Sequence, residues 1–240
     1  MKYIKLFEDF MNEGVNDPAI LKAFFMAGGP GSGKSFVAGE LFGFPKSEIS
    51  TVSYSTGLKL VNSDDAFELL LKKAGYDLKK IAQYAKDPEV WDQVMNVRSS
   101  AKKITKNREA GYLAGRLGLV MDGTGKDLKK VTKQRENLVN LGYDTFMVFV
   151  NTSLEVAMER NQNRERKLPD DIVKEMWQQV QDNIGGFQRL FGRENMMIID
   201  NSSYDNKQTL REIEKTIKGK VGLPVKNPLG KKWIESQRGK

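Results

Sequence analysis

The segment Gly28-Gly29-Pro30-Gly31-Ser32-Gly33-Lys34-Ser35 satisfies G-x-x-x-x-G-K-[S/T] at every defined position. Its setting constrains the fold as much as its letters do. The apolar run Ala23-Phe24-Phe25-Met26-Ala27 precedes it, and Ser35–Leu41 follows with helical spacing until Gly43 and Pro45 end the pattern. A strand that turns through glycines into a helix presents backbone N–H groups and a helix N-terminus to one point, which suits an anion such as a phosphate. A chain built around that turn needs a sheet for its strand to join.

The remaining sequence supplies one. Apolar runs at Leu58–Asn62, Leu117–Met121, Thr145–Val150 and Met196–Asp200 read as four further strands, and helical spacing separates them at Asp65–Lys73, Leu128–Leu141, from Thr152, from Pro169 to about Phe191, and at Leu210–Ile217. Thr152-Ser153-Leu154-Glu155 has the spacing of a capping box. Strands alternating with helices predict an α/β fold with a mainly parallel five-stranded sheet covered on both faces. Residues 75–116 are polar and read as a helical insertion, and residues 1–19 as an amphipathic helical extension with a turn at Gly14–Pro18. The expected division is 1–19, a main domain at 20–217, and a basic tail at 218–240.

Composition narrows the chemistry. The 240 residues include no cysteine and no histidine, which excludes disulfides, Cys or His metal sites, imidazole acid–base steps and the Ser–His or Cys–His nucleophile pairs. Carboxylates are left as the natural bases. The net charge of +8 is mostly local, because residues 218–240 hold seven Lys and Arg against the single acid Glu235. That tail is expected to be a solubilising terminus, with weak nucleic-acid contact as its alternative. The first fourteen residues carry Glu8, Asp9 and Glu13 and no apolar stretch of signal-peptide kind, and no apolar run approaches the ~18 residues of a membrane span. The expectation is a cytoplasmic protein without membrane contact.

Four elements could carry chemistry together. Gly28, Gly29, Pro30, Gly31, Ser32, Gly33, Lys34 and Ser35 form the nucleotide-binding set, with Lys34 reaching the β- and γ-phosphates and the Ser35 hydroxyl on Mg²⁺. Asn62-Ser63-Asp64-Asp65 ends the second strand, on the side of the sheet where the phosphate loop lies. Asp64 is the first candidate there for a base that takes a hydroxyl proton and Asp65 the second, although either could simply cap the following helix. Asp122 ends the third strand before Gly123-Thr124-Gly125 and is the second metal candidate. Arg160-Asn161-Gln162-Asn163-Arg164, running on to Pro169, reads as a lid at 160–169, with Arg160 and Arg164 on one helical face and able to stabilise a transferring phosphoryl group.

In this order the elements resemble P-loop kinases of the zeta toxin and phage polynucleotide 5′-kinase group, over roughly residues 22–201. The resemblance implies a P-loop NTPase three-layer sandwich with sheet order 2-3-1-4-5, bound ATP or GTP with Mg²⁺, and Lys34, Asp64, Arg160 and Arg164 as the catalytic set. It also implies transfer of the γ-phosphate to a hydroxyl of a small-molecule, sugar-nucleotide or nucleotide acceptor. Phe67 stands where polynucleotide kinases carry an Arg, and Asp122-Gly123-Thr124 is nearer to the zeta toxin pattern. The overall arrangement is similar to that of phage-encoded proteins of this class. The alternatives are a polynucleotide 5′-hydroxyl kinase and a nucleotide-dependent assembly protein that phosphorylates nothing.

Overall fold

The computed structural model describes residues 14–44, 52–53, 55–164, 166–203 and 206–238; the expected N-terminal helix lies outside these, apart from a 3-10 turn at Gly14–Asn16. In chain order the elements are β1 (Lys22–Ala27), α1 (Lys34–Phe42), β2 (Lys59–Val61), α2 (Ser63–Lys73), α3 (Pro88–Ala114), β3 (Leu119–Asp122), α4 (Leu128–Asn140), β4 (Asp144–Asn151), α5 (Leu154–Gln162), α6 (Asp170–Asp182), α7 (Ile184–Phe191), β5 (Met196–Asp200), α8 (Lys207–Gly222) and α9 (Pro228–Arg238). All five strands pair in parallel, in the order β2-β3-β1-β4-β5. This is the P-loop NTPase-like α/β fold and the sheet order that the resemblance implied.

Burial on both faces explains the uninterrupted apolar strands. On one face Phe24, Met26, Val148 and Ile199 meet Val37 and Leu41 of α1 and Leu210 and Ile217 of α8. On the other, Phe25, Leu119, Met147 and Phe149 meet Leu138 of α4, Val180 of α6 and Phe187 and Phe191 of α7. A third, separate core of Phe67, Leu71, Leu78, Val94 and Ala101 joins α2 to the long α3, so residues 75–116 are helical and packed as a unit on α2. Asp87 caps α3 by accepting from the Glu89 and Val90 N–H groups, with Pro88 in the first turn.

Local signals failed in three places. Ser153 caps α5, accepting from the Val156 N–H, so the cap sits one residue later than the Thr152 spacing suggested. The long helix expected from Pro169 breaks at Asn183 into α6 and α7; its side-chain amide donates to the carbonyls of Gly125 and Lys126. The third concerns the basic tail, which is not a loose terminus. The boundary at 217–218 falls inside α8, and α9 docks on the core through Trp233 and Ile234.

Two buried ion pairs hold this end of the sheet, at the N-terminal ends of the strands. Lys22 Nζ donates to Asp144 (2.8 Å), which also accepts from the Lys226 and Asn227 N–H groups. Lys59 pairs with Asp17, which accepts from the Ala19 and Gly118 N–H groups as well. Of the tail's own cations, Lys218 pairs with Glu214 and Lys220 lies over the Phe146 ring. Among the described residues no helix is long and apolar enough to cross a membrane.

Backbone fits against backbone where α9 docks. A Cβ on Gly230 would lie 2.3 Å from the Gly142 carbonyl oxygen, and one on Gly142 2.6 Å from Gly230 Cα. Gly230→Ala is expected to lower the urea stability of the protein by about 2 kcal/mol, the usual cost of overpacking a tight contact. A Gly230→Ala protein as stable as the wild type would show that α9 is not part of the cooperative unit.

Candidate active site

Every element that forms the site comes from the C-terminal ends of the strands, where an open α/β sheet leaves a crevice. The phosphate loop leaves β1 there and is gripped from three sides. The Gly28 N–H donates to the Thr124 carbonyl beyond β3 (3.0 Å). Gly31 has a φ of +74°, and a Cβ on it would stand 2.2 Å from the Ala157 carbonyl oxygen of α5. Gly33 (φ +80°) lies against Asn201, whose amide donates to the Ser32 carbonyl (2.7 Å). Asn206 in turn donates to Asn201 (2.5 Å), so a buried pair of amides after β5 fixes the loop. Ser32 Oγ is buried with no hydrogen-bond partner among the described residues.

The carboxylates sit across the crevice. Asn62 caps α2 by accepting from the Asp64 N–H (2.7 Å), and its amide donates to Asp122 Oδ2 (2.9 Å), which joins the β2 and β3 ends. The other oxygen, Asp122 Oδ1, is buried without a hydrogen-bond partner among the described residues. Burial pushes this carboxyl above its ordinary range, with Asp64 adding to the effect and Lys34 opposing it. A buried, donor-less carboxylate oxygen is the ligand that a hard cation takes up, so Asp122 fits the Mg²⁺ role; Ser35 is exposed in the first turn of α1.

Asp64 and Asp65, adjacent in sequence, differ in environment. Burial raises the Asp64 carboxyl, but the hydrogen bond from Arg98 Nη1 (2.6 Å) and the charges of Arg98, Arg166 and Lys34 outweigh it and hold the group below the usual range. Asp65 has no such partner among the described residues. Loss of water, then Asp122, Glu68 and Asp64, push it up to about 6. The residue remains exposed to solvent.

The arginine segment is rearranged relative to expectation. Arg160, on the last turn of α5, places Nη1 3.5 Å from where a Gly33 Cβ would stand, directly at the phosphate loop. Arg164 lies beyond the end of α5, exposed, so it does not share a helical face with Arg160. Asn161 is fully buried and closes the loop by exchanging two hydrogen bonds with the Leu168 backbone (2.8 and 3.1 Å). Arg166, within the segment expected to form the lid, lies over the Phe67 ring. Trp177 of α6 packs beside Gly29 and donates to the Thr152 carbonyl (2.8 Å). An open groove of about 410 Å³ between α2 and α3, lined by Leu70, Lys73, Asn96 and Ser100, lies farther along α2 than these carboxylates.

A family model described as an AAA domain matches residues 24–186, well over half of the chain. The protein belongs to this AAA domain family. The match spans the phosphate loop, both carboxylate elements and the arginine segment, and the chain carries a P-loop kinase-like domain. Its fold is shared with a chain of the PezAT chromosomal toxin–antitoxin system of Streptococcus pneumoniae (TM-score 0.51, 14% identity, covering 96% of this chain and 95% of that one). It is also shared with the AvrRxo1-ORF1:ORF2 complex (TM-score 0.53, 13% identity, 97% and 82%) and with a candidate kinase from Chloroflexus aurantiacus (TM-score 0.50, 14% identity, 82% and 97%). No curated protein matches the sequence.

Sequence reasoning missed Asn161 and Asn183, inside the matched AAA domain, and Asn201 beyond it, as supports. Asn201 alone had a signal, since it follows directly on the end of the fifth strand, at the crevice. The carboxylate crowd around Asp65 yields a pH prediction. A carboxyl raised in the folded state binds its proton more tightly there than in the unfolded chain, so the stability it contributes is complete below about 4 and lost as pH rises toward about 6. In thermal melts without nucleotide, Asp65→Asn is expected to raise the midpoint over wild type at pH 7, with the gain vanishing near pH 4.

Proposed function

We propose that the protein is a Mg²⁺-dependent phosphotransferase that moves the γ-phosphate of ATP or GTP to a hydroxyl of a small-molecule, sugar-nucleotide or nucleotide acceptor, within the zeta toxin-like P-loop kinases. One arrangement carries the reading: Lys34 opens α1 directly after the phosphate loop, and Asn62 accepts from the Asp64 N–H while donating to Asp122, so both carboxylate elements are joined at the strand ends where that loop lies. A phosphate-binding cation, a hydroxyl-side carboxylate and a metal-side carboxylate thus share one crevice. A phosphate-binding turn kept for structure alone has no need of the other two.

Each group then has a task. The backbone of Gly28 to Ser35 and the Lys34 ammonium hold the β- and γ-phosphates. Ser35 and Asp122 would hold Mg²⁺, which when bound would neutralise charge on the phosphate oxygens. Asp64 positions the acceptor hydroxyl and takes its proton while the oxygen bonds to phosphorus and the bond to the bridging oxygen breaks, releasing the nucleoside diphosphate. The phosphoryl transition state is loose, so positioning contributes more than base strength, and a carboxylate of low proton affinity serves. Arg160, at Gly33, neutralises charge on the transferring group, and Arg164 comes to it only if the 160–169 lid closes. The α2–α3 unit, which includes residues 75–116, forms the acceptor side. Its soluble setting would be the cytoplasm, a host's if the chain is phage-encoded.

The test is transfer of labelled phosphate from ATP and from GTP over a panel of hydroxyl acceptors. Asp64→Asn is expected to reduce kcat by about 10²–10⁴, the range for loss of a general base. Arg160→Ala should cost about 10³, toward the lower end for a transition-state arginine, and Lys34→Ala should abolish transfer. Full activity in Asp64→Asn would transfer the base role to Asp65. ATP hydrolysis with no labelled product across the panel would favour the nucleotide-dependent assembly protein.

A further inference from the structure

Two guanidinium groups from distant parts of the chain meet over one aromatic ring. Arg98, from α3, lies 4.8 Å from the centroid of Phe67, and Arg166, from the loop after α5, lies 5.8 Å from it. The ring belongs to the α2–α3 core and is almost completely buried, so it is a fixed platform. Stacking on an aromatic face suits arginine and leaves the in-plane N–H groups free to bind. Two cations held at one ring repel each other unless anions lie between or beside them.

The anions present are the less fixed members of each pair. Arg98 and Arg166 are 25% and 22% exposed at their side chains, whereas their partners Asp64 and Glu68 are 50% and 35% exposed. Arg98 gives one Nη to Asp64 Oδ1 (2.6 Å). Arg166 Nε stands 3.6 Å from Glu68, too far for a hydrogen bond, and the guanidinium makes none to the other described residues. Exposed ion pairs of this kind hold weakly. A phosphate, with two negative charges and three acceptor oxygens, can take both forks in the bidentate way that a single carboxylate does not. The basic residues farther along α3, Lys102, Lys103, Lys106 and Arg108, are exposed and take no part.

We infer that the acceptor is a small hydroxyl compound that already bears a phosphate, and that this phosphate takes Arg98 and Arg166 and so releases the Asp64 carboxylate to receive the hydroxyl proton. The inference rests on the phosphotransferase reading above. Without acceptor, Arg98 masks the base; with it, the same guanidinium binds substrate. Glu68 and Asp65, on the same helix, repel a phosphate placed elsewhere and confine it to the guanidinium side of Phe67. The phosphate takes over the neutralisation of both guanidinium groups, and no bond breaks beyond those of the transfer itself.

The full chain, saturated with Mg²⁺ and a non-hydrolysable ATP analogue, is titrated calorimetrically with ribose 5-phosphate against ribose and with uridine 5′-monophosphate against uridine. The phosphorylated member of each pair is expected to bind at least about tenfold more tightly, as charge-assisted hydrogen bonds to two arginines require. Arg98→Ala and Arg166→Ala should each remove most of that preference. Arg98→Lys should restore only part of it, because an ammonium lacks the fork. Thermal midpoints close to wild type confirm that the variants are folded. Equal binding within both pairs, or a preference that survives in both alanine variants, overturns the inference while analogue binding leaves the phosphotransferase reading standing. Failure of the wild type to bind the analogue overturns both.

Discussion

The tight fit of the phosphate loop against its neighbours governs the rest of the structure. Gly31 lies against the α5 backbone at a distance that admits no side chain, and Gly33 lies against Asn201 beyond β5. The loop is therefore wedged between β1, α5 and the end of β5, and its backbone N–H groups are aimed by the sheet and not by the loop's own preferences. Order 2-3-1-4-5 puts β1 at the centre, so the ends of β3 and β4 flank the loop directly. Asp122 arrives on β3, and α5 with Arg160 follows β4. The sheet order thus decides which residues the bound phosphates would meet.

The supports around that wedge are mostly amides. Asn62 links two strand ends by donating to Asp122, Asn161 closes the arginine loop, Asn183 holds the segment after Asp122, and Asn201 holds the phosphate loop. An amide can donate and accept at once without carrying charge. In a crevice that already contains Lys34, Asp64, Asp65, Asp122 and Arg160, neutral braces fix geometry without adding another charge to titrate. The absence of histidine and cysteine costs such a site nothing, because backbone amides, a lysine, carboxylates and arginines cover the roles that phosphoryl transfer requires.

What could be read from the sequence followed from periodicity and from one strict motif. The strands lie where apolar runs stop at turn residues, and the phosphate loop appears where its pattern falls between strand and helix. Asp122 and the Asn62–Asp65 element were legible because strand ends in such sheets face the crevice. The rest depended on contacts that no local pattern encodes. Nothing near Asn183 marks the break between α6 and α7, since its cause is a pair of carbonyls some fifty-seven residues earlier. The basic tail looked solvated because charge was counted without Trp233, Ile234 and Gly230, which seat α9 on the core. The meeting of Arg98 and Arg166 could not be read because Phe67, the residue that brings them together, is distant from both in sequence.

The separate core beneath Phe67 gives the molecule a division of labour. Nucleotide-side groups are set by the five-stranded sheet, whereas Phe67, Leu71, Leu78, Val94 and Ala101 form a small body of their own on α2 and α3. Sequence drift within that body can reshape what faces the crevice without disturbing the loop, the sheet or α1. The chain is in this sense modular: the phosphate loop is set by backbone packing against the sheet, and the α2–α3 body is held by a core of its own.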